Sequence, residues 1–273
     1  MGVMPIFSGE EVTIAAVKSS LCMLLCIHLL GAWICAERGM AERLDPAFNC
    51  MNDLADRIGR LNDNADVNAF SRQTVAAVAN ADAIVAVCAP DAAGIGKEIA
   101  LKLEEATWYT VGKWHSFDDI LGTDPTRWSR NRFVIVHATR RTHIDAAVAV
   151  MRKLADAGID FAVVTCPNRQ QRLMNQLSGN RCLFLQCSGD GSQPYLDLVL
   201  YYRLALEVGF ASGHGGGRAS YSVVIFPVLS SDVAVCRLEL AACRGLVPAG
   251  TGKRGDRPAS RIRCSRCHHR GVE

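Results

Sequence analysis

Short apolar runs rich in β-branched residues alternate with helix-like segments between residues 82 and 208, and this alternation limits the chain to few folds. The runs are DAIVAVCA (82–89), NRFVIVHA (131–138), FAVVT (161–165) and RCLFLQ (181–186). Each has the length of a strand and the nearly continuous apolar character of one buried on both faces. Strands of this kind, separated by helices, predict an α/β domain with a doubly wound parallel sheet.

The helical segments show apolar residues at three- and four-residue spacing. They cover residues 46–64, 66–80, 92–108, 144–157 and 195–208. Gly158 follows the fourth segment, where a helix commonly ends in a left-handed residue. The third segment begins after PDAAGIG (90–96), which we interpret as a small-residue loop whose backbone amides can meet an anion.

An uncharged stretch, SLCMLLCIHLLGAWICA (20–36), has two interpretations. It is about as long as a short membrane span, so a membrane or signal segment is one of them. It also contains His28 and is followed by the ordinary helical surface pattern AERGMAERL, which favours a buried core helix. Glu10 and Glu11 stand where a signal peptide carries basic residues. We therefore expect a buried helix and no membrane association.

Composition excludes several function classes. Hydrophobic residues make up 49% and charged residues 21% of the 273 residues, which is typical of a globular protein. Residues 1–217 carry a net charge of −3, so nothing there suggests nucleic-acid binding. Several of the twelve cysteines lie in apolar runs, as reduced cysteines packed in a core do. We expect a cytoplasmic protein.

The sequence after about residue 218 is basic and rich in Arg, Gly and Pro. Residues 218–273 carry a net charge of +6, and a disordered tail is expected. A zinc site formed by Cys264, Cys267, His268 and His269 is the alternative, because a CxxC pair supplies two thiolate ligands. No second pair follows at the usual distance. We expect no bound metal and no cofactor.

Three segments carry a resemblance to a known family. The first, GKEIALKLEE (96–105), matches the helix pattern E-x-A-L-K-L-x-E at Glu98, Ala100, Leu101, Lys102, Leu103 and Glu105. The others are GEEVTIAAVK (9–18) and YLDLVLYYRLALEVG (195–209). In order and spacing they resemble the sugar isomerase (SIS) family, in the isomerase portion of glucosamine-6-phosphate synthase. The resemblance implies a flavodoxin-like parallel sheet and a homo-oligomer.

The resemblance also implies site residues. Isomerising a sugar phosphate needs a base that moves a proton between adjacent carbons, and Glu105 occupies the position of the family's base. Lys102 lies three residues earlier, so both side chains share one helix face, and together they are the expected catalytic pair. Glu98, Glu11 and Lys18 are matched positions expected to contact the substrate. A solvated face of Glu and Lys side chains explains the helix equally well.

Arg140 is a further expected substrate contact. It lies in HATRRTH (137–143), at the carboxyl end of a predicted strand, where open α/β sheets place ligands. An ordinary solvated loop is the alternative there. His137, on the strand itself, is expected to be a hydrogen-bonded core histidine.

The chain departs from the family pattern at several positions. The family has a ring-opening histidine in an H-G-P turn, whereas Gly122, Thr123 and Asp124 stand here. His115 lies nearby at a different spacing. The family's Ser/Thr-rich phosphate loop and its lysine-bearing tail have no counterpart in this sequence. We expect residues 1–45 to be the remnant of a first SIS domain, 46–217 a second SIS domain and 218–273 an atypical tail.

Two functions remain open from the sequence. One is a phosphosugar isomerase or deaminase of carbohydrate derivative metabolism that works through Glu105. The other is a non-catalytic module or inactive remnant that binds a sugar phosphate. The preserved glutamate helix favours the first, and the missing histidine favours the second.

Overall fold

A computed structural model describes residues 17–40, 53–78, 80–107, 110–128, 131–179, 181–186 and 191–212. The helices are α1 (Val17–Glu37), α2 (Leu54–Asp63), α3 (Ala65–Val78), α4 (Ala93–Thr107), α5 (Phe117–Gly122), α6 (Ile144–Asp156), α7 (Gln171–Leu177) and α8 (Gln193–Ala211). The strands are β1 (Ala83–Cys88), β2 (Val111–Ser116), β3 (Arg132–Ala138), β4 (Asp160–Thr165) and β5 (Cys182–Phe184). The predicted basic tail and the alternative zinc site lie outside these residues.

The five strands form one parallel sheet in the order β2-β1-β3-β4-β5. In its register Ile84 lies opposite Phe133, and Val134 lies opposite Phe161. The predicted doubly wound α/β sheet is therefore confirmed. Four strands were predicted, whereas the structure adds β2 as an edge strand. Its sequence, VGKWHS, leaves Val111 and Lys113 exposed and contains Gly112, so it lacks the apolar run that marks the central strands.

The core has two halves, one on each face of the sheet. Because successive side chains of a strand point to opposite faces, Ile84 and Ala86 pack under α4 and α8, while Val85 and Val87 pack under α5 and α6. Helix α8 supplies the largest share of the first half, with Tyr201 and Tyr202 almost fully buried. Helices on both faces explain why β1 and β3 are apolar along nearly their whole length.

Helix α4 begins earlier than the small-residue loop interpretation allows. Residues 90–92 form a short 3-10 turn, and Ala93 already starts the helix, so Gly94 and Gly96 lie inside it. A Cβ atom on Gly96 would lie 2.1 Å from Trp114 Cδ1. The predicted loop is therefore shorter than PDAAGIG, and Gly96 serves to let the helix approach β1 and β2 closely; whether the amides at the start of the helix meet an anion stays a prediction. Gly158 has φ of +68°, as predicted for the residue that follows α6.

Helix α1 is only half buried, which corrects the prediction of a buried core helix. Its inner face, with Leu21 and Ala32, packs on the rest of the domain, and α1 contacts α8. Its outer face exposes the large side chains of Met23, Ile27, Leu30, Trp33 and Ile34. Among the described residues, no helix has the length and apolar character needed to cross a membrane.

Candidate functional site

The first candidate site lies at the carboxyl ends of β1 and β3. The chain crosses to opposite sides of the sheet from these neighbouring strands, which is where open α/β sheets of this order bind ligands. Asp91 follows β1, and Arg140 and His143 follow β3. We refer to these three residues as the switch-point cluster.

The switch-point cluster joins the two loops through one carboxylate. Arg140 Nη1 donates a hydrogen bond to Asp91 Oδ2, and His143 Nε2 lies 3.0 Å from Asp91 Oδ1. Burial lowers the pKa of His143, and the Asp91 carboxylate opposes that shift. The side chains of Arg140 and Asp91 are both more than half exposed. The cluster therefore presents a guanidinium that an incoming anion can reach.

A buried polar network surrounds His137, near the carboxyl end of β3. The Tyr201 hydroxyl lies 3.1 Å from His137 Nδ1, and Asp197 Oδ2 lies 3.4 Å from His137 Nε2. Thr139 Oγ1 donates to Asp197 Oδ2 at 3.2 Å, and Gln193 Nε2 donates to Asp197 Oδ1 at 2.8 Å. Burial, together with the Asp197 charge, raises the pKa of Tyr201. Both ring nitrogens of His137 have partners, as expected of a core histidine.

The second candidate site lies on α4 where it packs against α8. Lys102 Nζ lies 2.8 Å from Glu105 Oε2 and 3.9 Å from Glu98 Oε1. The Tyr202 hydroxyl donates to Glu98 Oε1 at 2.7 Å, and burial raises the pKa of Tyr202. We refer to Glu98, Lys102, Glu105 and Tyr202 as the helix cluster.

The helix cluster confirms that Lys102 and Glu105 share a helix face, but that face is not the solvated one that was the alternative. Lys102 is only 4% exposed, whereas the side chains of Glu98 and Glu105 are about one quarter to one third exposed. A buried ammonium requires nearby negative charge, and the two carboxylates supply it. The hydrogen bond from Tyr202 to Glu98 joins α8 to α4, and the Glu105 carboxylate stays within reach of solvent.

The two clusters lie far apart along α4. Asp91 lies two residues before Ala93, the first residue of the helix, whereas Glu105 lies twelve residues after Ala93. At about 1.5 Å per residue, the helix separates the two groups by roughly 18 Å. The structure therefore does not bring Arg140 and Glu105 to one reaction centre within the chain.

Of the other residues considered from the sequence, the structure leaves two undescribed and places two outside both clusters. Glu11 lies outside the described residues, and Lys18 lies in the first turn of α1 with a side chain that is not described. His115 stacks on Trp128 with ring centroids 6.2 Å apart. Asp124 accepts a hydrogen bond from the Thr126 amide at 3.1 Å and starts a short 3-10 turn. No histidine replaces the family's ring-opening residue in the described turn 122–127.

Sequence reasoning missed Asp91, Asp197 and Tyr202. Asp197 carried a usable signal, because a single acidic residue interrupts the apolar stretch YLDLVLYY and such a residue needs partners when buried. Asp91 carried none. Its partners come from the loop after β3, and only the pairing of β1 with β3 brings that loop near.

Comparison with known proteins identifies the fold. No family model and no curated protein matches the sequence. Among solved structures, the C-terminal domain of glucosamine-fructose-6-phosphate aminotransferase from Francisella tularensis matches over 75% of this chain and 56% of its own, with a TM-score of 0.59 and 14% identity. The chain has the sugar isomerase (SIS) fold.

Two further structures have the same SIS fold. A protein from Clostridium difficile 630, provisionally described as a phosphosugar isomerase, matches over 79% of this chain and 59% of its own, with a TM-score of 0.59 and 16% identity. A Clostridium novyi NT protein is provisionally described as a tagatose-6-phosphate ketose/aldose isomerase. It matches over 78% of this chain and 53% of its own, with a TM-score of 0.54 and 14% identity. The chain spans little more than half the length of these structures.

Proposed function

We propose that this chain binds a sugar phosphate at the switch-point cluster and does not isomerise it within a single copy of the chain. The observation that carries the proposal is the exposed Arg140 guanidinium at the carboxyl ends of β1 and β3. A guanidinium offers paired donors that match a phosphate group. In the ligand-free protein, Asp91 occupies these donors as an internal anion, and a phosphate monoester would displace it.

The lack of turnover follows from the separation of the two clusters. A base must lie within hydrogen-bond reach of the proton that it abstracts. Glu105 lies roughly 18 Å along α4 from the switch-point cluster, which is farther than a hexose phosphate bound at Arg140 reaches. The missing ring-opening histidine also lowers the turnover that we expect, because a proton-transfer site loses most of its rate when one member is absent.

The solved structures with this fold support the substrate class. They are described as a glucosamine-fructose-6-phosphate aminotransferase and, provisionally, as a tagatose-6-phosphate ketose/aldose isomerase and a phosphosugar isomerase. Fructose 6-phosphate and glucosamine 6-phosphate are therefore suitable ligands for testing the proposal.

The test is isothermal titration calorimetry of the full chain with fructose 6-phosphate. We expect Arg140→Ala to weaken binding by roughly 10- to 100-fold, the effect of losing a charged hydrogen bond. We expect Asp91→Asn to strengthen binding, because it removes the competing carboxylate. Arg127→Ala is the matched control, since Arg127 is also exposed and paired with an aspartate, Asp124, but lies before β3. Equal affinities for all four proteins would contradict the proposal.

A second candidate function is phosphosugar isomerisation or deamination through Glu105, in carbohydrate derivative metabolism. The pairing of Glu105 with the buried Lys102 favours it, because a fixed ammonium positions the carboxylate. In that case a neighbouring domain or second chain would have to hold the phosphate beside Glu105. Turnover that disappears in Glu105→Gln would establish this function.

The proposal includes a homo-oligomer in a reducing, cytoplasmic setting. Cys88 and Cys166 are free thiols buried in the core, as is typical of proteins kept under reducing conditions. Fractionation of cells that express the chain tests the location: recovery outside the cytoplasm would contradict it.

A further inference from the structure

The Asp91 carboxylate is held by two partners at once, in the way that a bound phosphate would be. Its Oδ2 accepts a hydrogen bond from Arg140 Nη1, and its Oδ1 lies 3.0 Å from His143 Nε2. A phosphate monoester has three terminal oxygens, two of which can take the places of the two carboxylate oxygens. The Asp91 side chain is 52% exposed, so it can turn into water when an anion displaces it. The anion then meets His143 as well as Arg140.

His143 is held in place by contacts that do not involve Asp91. Its backbone amide donates to the Arg140 carbonyl at 3.0 Å, within the short 3-10 turn that leads into α6. The Phe117 ring of α5 lies edge-on to the imidazole, with ring centroids 6.4 Å apart. The His143 side chain is only 10% exposed. The imidazole therefore remains beside the position of the Asp91 carboxylate when that carboxylate leaves.

The cluster by itself is close to neutral, and a phosphate changes that balance. Burial lowers the pKa of His143, so the ring is mostly neutral at pH 7, and the charges of Arg140 and Asp91 cancel. A phosphate monoester carries nearly two negative charges at that pH, and Arg140 compensates only one of them. Excess negative charge beside an imidazole favours the protonated ring. A proton from solvent on His143 supplies the missing positive charge.

The surroundings of His143 contain one other group that titrates near pH 7. The charged and titratable groups that face His143 are Asp91 from the turn after β1, Arg140 from its own turn, and His137 from β3. Helix α5 meets it through the uncharged ring of Phe117. Both ring nitrogens of His137 already contact buried partners, Tyr201 and Asp197. His143, whose Nε2 faces the displaced carboxylate, is therefore the group that we expect to take up the proton.

We infer that His143 is a second ligand of the phosphate at the switch-point cluster, and that its ring takes up a proton from solvent when the phosphate displaces Asp91. This role rests on the proposed function, since it requires a phosphate at Arg140. Binding and protonation are then linked, so each favours the other. The affinity for a phosphate dianion rises as the pH falls from 8 to 7.

The experiment is isothermal titration calorimetry of the full chain with fructose 6-phosphate at pH 7, in two phosphate-free buffers that differ in their enthalpy of ionisation. The difference between the two binding enthalpies gives the number of protons taken up per bound phosphate. We expect at least about 0.3 proton with the wild type and none with His143→Gln. That variant should also bind about 10-fold more weakly, because it loses one charged hydrogen bond.

The same titration at pH 8 measures the linkage in a second way. We expect the wild-type affinity to be at least about twofold lower at pH 8 than at pH 7, which is the change that an uptake of about 0.3 proton requires. The affinity of His143→Gln should be the same at both values of pH.

His28→Gln is the matched control. Burial lowers the pKa of His28 too, but His28 lies on α1 beside Tyr195 and outside the switch-point cluster. We expect this variant to bind fructose 6-phosphate and take up protons like the wild type. Circular dichroism checks that each variant is folded, and His143→Leu serves in place of His143→Gln if that variant is not.

The proton count separates this role of His143 from the proposed function. Binding by the wild type without proton uptake, or uptake that persists in His143→Gln, would overturn the role of His143 and leave sugar-phosphate binding standing. A wild-type protein that does not bind fructose 6-phosphate at either pH would contradict the proposed function, and the role of His143 with it.

Discussion

Asp197 shows what a single residue contributes at the carboxyl end of the sheet. Asp197 is 3% exposed, and its carboxylate accepts hydrogen bonds from Thr139 and Gln193 beside the His137 ring. Buried polar groups are stabilising only when their partners are present. Asp197 therefore fixes the side chains beneath the loop that carries Arg140.

Replacing Asp197 with Ala leaves these buried donors without an acceptor. We expect the free energy of unfolding to fall by about 3 kcal/mol, measured by urea denaturation. Asp118→Ala on α5 removes an exposed carboxylate and is expected to change it by less than about 0.5 kcal/mol. An Asp197→Ala protein as stable as the wild type would show that the network does not hold this end of the sheet.

His143 gives the fold a dependence on pH. Because burial lowers its pKa below the ordinary value of 6.5, the unfolded chain takes up a proton before the folded one as the pH falls. The stabilising contribution is present above pH 6.5 and is lost as the pH falls through the lowered value. His28, whose pKa burial also lowers, acts in the same direction.

We expect the melting temperature to fall between pH 7.5 and pH 5.5, and to fall less in His143→Gln. Thermal denaturation of the wild type and the variant across this range measures the two falls in melting temperature. His28 contributes equally to both, so their difference reports His143 alone. Identical pH profiles would mean that His143 has the same proton affinity in the folded and unfolded chain.

At the scale of elements, the packing of α4 depends on one glycine. A Cβ atom on Gly96 would lie 2.1 Å from Trp114 Cδ1 and 2.6 Å from Cys88 Sγ, whereas one on Gly94 would meet nothing within 4 Å. We expect Gly96→Ala to destabilise the protein by about 1 to 3 kcal/mol through overpacking. Gly94→Ala, two residues away, should stabilise it by about 0.5 to 1 kcal/mol through helix propensity. Denaturant unfolding of the two variants measures both changes in the free energy of unfolding. Equal changes would contradict the close packing at Gly96.

The sequence predicted the central elements well and the peripheral ones poorly. Strands β1, β3 and β4 lie within one residue of the predicted runs, because burial on both faces makes their apolar character continuous. Strand β2 was missed, since an edge strand with Gly112 and two exposed side chains has no such run. Helix α1 was predicted as buried from its uncharged sequence, which does not distinguish a core helix from one with an exposed apolar face.

The same contrast holds for the candidate site. Lys102 and Glu105 were predictable as neighbours because they lie three residues apart on one helix, and that spacing fixes their contact. The pairing of Arg140 with Asp91 was not predictable, because it joins residues 49 positions apart through the order of the strands. Contacts within one element can be predicted from the sequence, whereas contacts between residues at the ends of different strands depend on the topology.

For the whole molecule, the SIS fold and the placement of the two clusters lead to one account. The parallel sheet places Arg140 at the switch point, where we propose that a phosphate binds, while α4 carries Glu105 away from that end of the sheet. The division into a remnant first SIS domain, a second SIS domain and a tail stays a prediction. In this account the chain retains sugar-phosphate binding and lacks an assembled proton-transfer site.

The measurement that tests this account most directly is a phosphorus NMR spectrum of fructose 6-phosphate recorded with and without the full chain. One spectrum reports binding, through broadening or displacement of the phosphate resonance, and conversion, through a product resonance. We predict that the resonance broadens with the wild-type protein and with Glu105→Gln, remains sharp with Arg140→Ala, and yields no product in any sample. A product resonance that grows with the wild-type protein and is absent with Glu105→Gln would contradict the account.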